Sequence, residues 1–225
     1  MITLLKKDKT VYVYSKVFLY LSITFVVCLL LADILATKFL GTDSYSIPAS
    51  ILIFPVSFII NDILAEVYGY KSAKKVIVFG FFMRLLMVLL FTLAILLPAP
   101  SWYENGDAFK TILGSTPRIA FAGLISYLCG SLANAKVLVK MKGQGEKKFG
   151  LRAIASTIAG EGIDSMIFIP ISFLGTVELE KIFTMILLQV ALKTLYEIIC
   201  LPLTTIVLKY VRKYEKDFNN KIEIK

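Results

Sequence analysis

The chain has 225 residues, of which 57% are hydrophobic and 18% charged, and its formal net charge is +9. A soluble domain of ordinary composition is ~45–50% apolar and ~25% charged, so this composition, with a mean hydropathy of +0.77, excludes a disordered chain and favours a protein embedded in a bilayer. Because the sequence has no histidine and its three cysteines stand apart, it excludes histidine-based catalysis, histidine-ligated metals and a disulfide scaffold, and we expect no metal and no cofactor.

Apolar segments long enough to cross a bilayer follow one another along the whole chain, since a crossing of ~30 Å needs roughly 20 helical residues. The predicted spans lie at about 17–40, 47–70, 76–97, 117–139, 154–177 and 182–210. They predict an all-α integral membrane protein with six helices in one domain, 1–225. An inverted repeat of three plus three helices is a further expectation. Lysines precede the first span as in a signal peptide, but its length and Asp33 predict a retained helix.

The positive charges predict the orientation of these helices. Most of the 25 Lys and Arg residues lie before the first span, between spans 2 and 3, between spans 4 and 5, and after span 6. Because such residues stay on the cytoplasmic side, both termini are predicted in the cytoplasm and the protein in the cytoplasmic (inner) membrane. The bases form no single patch, so no nucleic acid is expected as a partner. Membrane lipids and a small-molecule substrate are the expected partners, and a homodimer is left open.

Two segments lie outside the predicted spans. The outer connection 98–116 carries Trp102, Tyr103 and Phe109, which favours anchoring at the membrane surface over a substrate lid. The tail after Tyr214 alternates charges, which predicts a solvated helix end or a disordered segment.

Ionisable side chains fall inside the predicted spans, where each costs roughly 2.5–3.5 kcal/mol on insertion scales. They are Asp33, Asp62, Glu66, Arg84, Glu161, Asp164, Lys193 and Glu197. Asp62 and Glu66 are spaced i,i+4, and Glu161 and Asp164 are spaced i,i+3, so each pair shares one helix face. The pattern predicts a polar cleft among spans 2, 5 and 6.

Residues that interrupt helices surround these acids. Pro48 and Pro55 precede the acids of span 2, while Gly160, Gly162 and Pro170 surround those of span 5. Interrupted helices at corresponding positions of two halves are typical of the midplane binding site of a transporter.

An alternative is that the charges only neutralise one another in structural pairs. Arg84 would then pair with Asp62 or Glu66, and Lys193 with Glu197 one turn along span 6. The acids outnumber the bases, however, and unpaired carboxylates need a proton or a ligand, which favours a functional cleft.

The chemistry of the cleft indicates its ligand. A carboxylate accepts two parallel hydrogen bonds from an N–H/NH2 edge and neutralises an ammonium, so the predicted solute is small, polar, and planar or cationic. The candidate substrate-binding residues are Asn61, Asp62, Glu66, Arg84, Asn134, Ser156, Thr157, Glu161, Asp164, Ser165, Lys193 and Glu197.

Several runs of the sequence resemble those of a known family. They are Asn-Asp-Ile-Leu-Ala-Glu-Val-Tyr-Gly at 61–69 followed by Lys74-Lys75, Arg118 with Ser126, Tyr127 and Asn134, Ala-Ser-Thr-Ile-Ala-Gly-Glu-Gly-Ile-Asp-Ser-Met-Ile-Phe at 155–168, and Lys-Thr-Leu-Tyr-Glu at 193–197 before Pro202. At these positions the chain resembles the queuosine precursor transporters, also called the vitamin-uptake-like or VUT family.

The resemblance implies a six-helix inner-membrane importer of 7-cyano-7-deazaguanine and 7-aminomethyl-7-deazaguanine, the precursors of the modified tRNA base queuosine. It implies that Glu161 or Asp164 binds the guanine-like edge, with Asp62, Glu66 and Asn134 as other candidates. Lys193 would then hold a carbonyl oxygen of the substrate.

Two other classes remain open at this point. The chain could be the substrate-binding subunit of an ATP-driven importer, with the ATPase on a partner, because it contains no nucleotide-binding P-loop. An intramembrane aspartic enzyme is disfavoured because no Gly-x-Gly-Asp element accompanies Asp164.

Overall fold

Helices dominate the computed structural model, which describes residues 2–6, 9–42, 45–114, 117–144, 149–175 and 178–223. The helices are α1 (Lys16–Leu35), α2 (Phe54–Leu96), α3 (Gly106–Leu113), α4 (Pro117–Lys140), α5 (Phe149–Phe173) and α6 (Leu179–Glu223). Two short antiparallel hairpins accompany them, β1 (Ile2–Lys6) with β2 (Lys9–Val13) and β3 (Phe39–Thr42) with β4 (Tyr45–Pro48). The chain is therefore predominantly helical, as predicted.

Among the described residues, five helical segments are long and apolar enough to cross a membrane: one each on α1, α2, α5 and α6, and one that contains α3 and α4. Their outward faces are apolar and uncovered: Leu19, Ile23 and Leu31 are exposed on α1, as are Leu188 and Leu195 on α6. A water-soluble monomer does not leave such a large apolar surface open. These faces are suited to lipid, and the helices satisfy their own backbone hydrogen bonds there.

Helix α2 is interrupted at Gly69, which has φ 76° and ψ 168°. Only glycine adopts this backbone region without strain, so a single residue can redirect the chain here. The predicted spans 2 and 3 thus meet at one residue, without the longer connection that the sequence suggested.

The two parts of α2 pack against α1 in opposite directions. Ala49, just before α2, donates its backbone N–H to the chain just after α1. The ring of Tyr68 then lies 4.8 Å from that of Phe18, near the start of α1. Arg84, farther along α2, forms an ion pair with Asp33 near the end of α1. The chain therefore folds back on itself at Gly69.

Helices α4 and α5 approach each other most closely at two glycines. A Cβ atom placed on Gly160 would lie 2.7 Å from the Cβ of Asn134 and 2.9 Å from the carbonyl oxygen of Gly130. Small residues permit such close backbone packing in membrane proteins. This contact positions the polar face of α5 against α4.

The helix bounds differ from the predicted spans at several ends. Helix α1 ends at Leu35 because the β3–β4 hairpin, which contains Gly41 and Pro48, takes the following residues, and both are poor helix formers. Helix α6 continues to Glu223, and Glu215 in this extension is buried. The tail after Tyr214 is thus a helix end over the part that the structure describes, and Lys216, Asp217 and Asn220 are exposed there as predicted for a solvated end.

Candidate functional site

Two carboxylates of α5 share one ammonium group of α6. Lys193 Nζ lies 2.5 Å from Glu161 Oε2 and 3.2 Å from Asp164 Oδ2. The i,i+3 spacing on α5 turns both acids toward α6, and each of the three side chains is at most 19% exposed. We name these three residues the Lys193 cluster. One positive charge against two negative ones leaves it with a formal charge of −1.

A second pair of acids joins α2 to α6. The carboxyl groups of Asp62 and Glu197 lie within hydrogen-bond reach of each other, and each residue is 1% exposed. Glu197 also interacts electrostatically with Glu161. We name Asp62 and Glu197 the carboxyl pair. It extends the acidic region of the Lys193 cluster from α5 through α6 to α2.

Buried polar oxygens without a hydrogen-bond partner occur on the same helices. Among the described residues they include Asn61 Oδ1, Asp62 Oδ2, Asn134 Oδ1, Thr157 Oγ1, Ser165 Oγ, Thr194 Oγ1 and Glu197 Oε1. Ser156, by contrast, donates to the carbonyl oxygen of Ala153 at 2.8 Å. Because buried polar groups are nearly always hydrogen-bonded, oxygens left this way indicate room for water or a ligand.

Glu66 has different partners from those that the sequence suggested. Arg152 of α5 donates from Nη1 to Oε2 at 2.8 Å and from Nη2 to Oε1 at 3.0 Å. Arg212 of α6 binds Oε1 as well, and Lys142 donates to the backbone oxygen of Glu66 at 2.7 Å. We name these four residues the Glu66 cluster. It joins three helices at one end of the bundle.

Arg84 pairs with neither Asp62 nor Glu66, so that predicted pairing is wrong. Its guanidinium binds both carboxylate oxygens of Asp33 at 2.5 Å and donates to the carbonyl oxygen of Gly123 at 2.8 Å. Arg84 therefore links α2 to α1 and α4.

The predicted pairing of Lys193 with Glu197 is also wrong. Lys193 reaches across to the two acids of α5, and Glu197 meets Asp62. Residues one turn apart on a helix can pair, but contacts to a neighbouring helix decide the partner here.

Sequence reasoning missed the basic residues that hold Glu66. Arg152 and Arg212 were interpreted only as orientation signals, yet Arg152 is 1% exposed. Glu215 was missed as well: it accepts hydrogen bonds from Tyr68 at 2.9 Å and from Ser15. An arginine forms two parallel hydrogen bonds with a carboxylate. An acid such as Glu66 inside a predicted span therefore indicates that a basic residue of another helix binds it.

The comparisons with known proteins agree with a membrane transporter. Residues 48–207 match the family model described as "Putative vitamin uptake transporter". The chain belongs to this family. This is a family of transporters and not of enzymes, the apolar helices agree with a multi-pass membrane protein, and the resemblance noted in the sequence is confirmed at the level of this family.

One relative has a more specific description. The protein of Bacillus subtilis (strain 168) described as "Probable queuosine precursor transporter" is 27% identical over 120 residues, which cover 52% of this chain and 52% of that protein. No solved structure matches the chain. The family match includes the Lys193 cluster and the carboxyl pair, whereas Arg212 and Glu215 lie beyond its end.

Proposed function

We propose that this protein imports queuosine precursors, 7-cyano-7-deazaguanine and 7-aminomethyl-7-deazaguanine, across the cytoplasmic membrane. Membership of the vitamin uptake transporter family supports transport, and the description of the Bacillus subtilis relative supports this class of substrate. The back-folding of α2 at Gly69 supports six crossings, with the two parts of α2 as separate spans. Three spans in each half would give the halves opposite directions, as in an inverted repeat.

The Lys193 cluster is the observation that carries the proposal. A deazaguanine presents an N1–H and a 2-amino group side by side, and the carboxylate of Glu161 or Asp164 can accept both. Lys193 can donate to the carbonyl oxygen next to that edge. One ammonium group can neutralise only one of the two carboxylates. The cluster therefore keeps a formal negative charge, which suits a donor-rich or cationic ligand.

Neighbouring polar groups complete the proposed site. The oxygens of Asn61, Asn134, Thr157 and Ser165 have no partner among the described residues and are available to a ligand or to water. Ser156 lies beside Thr157 on α5. These residues, with the Lys193 cluster and the carboxyl pair, are the ones that we assign to the substrate path.

Glu66 and Arg84 are left out of the proposed site. Glu66 already accepts hydrogen bonds from two guanidinium groups, and Arg84 is engaged by Asp33 and Gly123. Binding a substrate would require these bonds to break, which makes a structural role the better assignment.

Recovery of queuosine in tRNA tests the proposal. Cells that lack both precursor synthesis and their own importer are supplied with either precursor and made to express this protein. Wild-type protein should restore queuosine. Glu161→Gln should reduce uptake about tenfold or more, because one charge-assisted hydrogen bond contributes about 1.5–3 kcal/mol.

Glu104→Gln is the matched control, since Glu104 is an exposed residue of the outer connection. This variant should transport like the wild type. No rescue by wild-type protein that reaches the membrane would contradict the proposed substrate. Equal effects of Glu161→Gln and Glu104→Gln would contradict the site.

Transport by the purified protein distinguishes the proposal from the alternative of a substrate-binding subunit in an ATP-driven importer. If the purified protein alone exchanges labelled precursor across liposome membranes, no ATPase partner is needed. Exchange that requires a co-purified ATPase would instead identify the chain as a substrate-binding subunit.

A further inference from the structure

The carboxyl pair differs from the other acids within the helices, because its acids face each other. Asp62 lies in the first part of α2 and Glu197 lies in α6, and both are 1% exposed. Their carboxyl groups are within hydrogen-bond reach. The other acids predicted within the spans each have a basic partner: Asp33 has Arg84, Glu66 has Arg152, and Glu161 and Asp164 share Lys193.

A hydrogen bond between two carboxyl groups needs one O–H donor, because an ionised carboxylate only accepts. Two ionised carboxylates cannot lie this close in a buried site, so such pairs share a proton, as in aspartic proteases. The contact between Asp62 and Glu197 therefore contains one exchangeable proton.

The described ionisable groups that interact with the pair are two further acids and a thiol. Glu161 of α5 faces Glu197, Glu66 lies one turn from Asp62 on α2, and the Cys200 thiol lies near Glu197 on α6. Bases on the neighbouring helices form ion pairs with other acids: Lys193 binds Glu161, and Arg152 and Arg212 bind Glu66. A proton is thus the positive charge that the pair itself can hold.

The oxygens of the pair lack any other donor in the part of the chain that the structure describes. Asp62 Oδ2 and Glu197 Oε1 are buried and accept no hydrogen bond from any described residue. Because no described donor satisfies these oxygens, a proton on the pair or a water molecule is needed to do so, which suits uptake and release of a proton.

The pair also lies between the two charged clusters. Electrostatic contacts follow the order Glu161, Glu197, Asp62 and Glu66, and thus pass from α5 through α6 to α2. One end of this series belongs to the proposed substrate site, and the other end to the Glu66 cluster.

We propose that Asp62 and Glu197 form a proton-binding site that couples substrate import to the proton gradient. This inference rests on the proposed function. The pair binds a proton from the outer side in the state that takes up substrate, and releases it to the cytoplasmic side when the substrate leaves. Only O–H bonds form and break, and one proton crosses for each cycle.

Infrared spectroscopy tests the proton-binding site without transport. Wild-type protein in lipid at neutral pH should show the carbonyl absorption of a protonated carboxylic acid, and the double variant Asp62→Asn, Glu197→Gln should lose it. Both substitutions keep side-chain size, and thermal unfolding verifies the fold. Glu104→Gln should retain the absorption. A spectrum that the double substitution leaves unchanged would overturn the proton site.

Liposomes with an imposed pH gradient and a clamped membrane potential test the coupling. A gradient of one pH unit, acidic outside, should concentrate neutral 7-cyano-7-deazaguanine up to about tenfold if one proton accompanies each molecule. Asp62→Asn and Glu197→Gln should each lose this accumulation, whereas Glu104→Gln, at an exposed residue outside the helices that carry the pair, should keep it.

The two proposals fail in different ways. If wild-type protein exchanges substrate but accumulates none in response to the gradient, the coupling is overturned and the proposed function stands. If wild-type protein does not exchange substrate at all, the proposed function is overturned, and the coupling with it.

Discussion

The Glu66 cluster and the Lys193 cluster both hold carboxylates inside the helices, but they differ in the number of basic partners that each carboxylate has. In the Glu66 cluster one carboxylate meets two guanidinium groups, so the bases outnumber the acid and both carboxylate oxygens are bonded. In the Lys193 cluster two acids share one base, and the carboxyl pair beside it adds two more acids. The difference shows that burial of charge alone does not identify a binding site. We propose that the surplus of uncompensated acceptors distinguishes the binding site.

Breaking the bidentate pair of the Glu66 cluster should have the largest effect. Arg152→Ala leaves Glu66, which is 0% exposed, without its buried, bidentate partner. Removal of one member of a buried ion pair costs about 3–5 kcal/mol, so the variant should unfold at a much lower temperature.

Arg212→Ala is the matched control for this prediction. Arg212 bonds the same carboxylate but its side chain is 31% exposed, so its loss should cost clearly less. Thermal unfolding in detergent compares the two variants. Equal losses would show that the Glu66 cluster does not depend on its buried arginine.

Crowding the contact between α4 and α5 should displace α5 and, with it, the two acids of the Lys193 cluster. Gly160→Ala places a methyl group 2.7 Å from Asn134 Cβ, and overpacking of this kind costs about 1–3 kcal/mol. Because Glu161 follows directly, substrate uptake should fall as well. Gly162→Ala, on the same helix with nothing within 4 Å of the added Cβ, should leave both stability and uptake unchanged.

A substitution at Gly69 tests whether the turn of α2 is needed to bring Glu66 to its arginines. An alanine has open space there, so any loss comes from the backbone at φ 76° and ψ 168°. Such strain costs on the order of 1–3 kcal/mol. Unchanged unfolding of Gly69→Ala would mean that the chain can turn here without a glycine conformation.

The sequence predicted much of this molecule because apolar length and helix spacing are local signals. The i,i+3 spacing of Glu161 and Asp164 placed both acids on one face, and both meet Lys193. The cleft predicted among spans 2, 5 and 6 corresponds to the helices that carry the Lys193 cluster and the carboxyl pair. Whether these residues bind substrate stays a prediction.

The choice of ion-pair partners could not be predicted from spacing. Lys193 and Glu197 lie one turn apart on α6, but they contact different helices. Lys193 binds Glu161 of α5, and Glu197 meets Asp62 of α2. Arg152 is also a typical cytoplasmic base in sequence, and only the approach of α2 buries it. The spans predict a reversal between residues 70 and 76, and the structure places it at Gly69, because one glycine replaces the expected loop.

The central claim is that the Lys193 cluster binds the substrate and the Glu66 cluster holds the helices together. Calorimetric titration of purified protein with 7-cyano-7-deazaguanine tests this claim most directly. We expect wild-type protein to bind, Glu161→Gln to bind about tenfold or more weakly, and Arg212→Gln to keep the wild-type affinity within about twofold. Undiminished binding by Glu161→Gln, or a larger loss from Arg212→Gln than from Glu161→Gln, would contradict the claim.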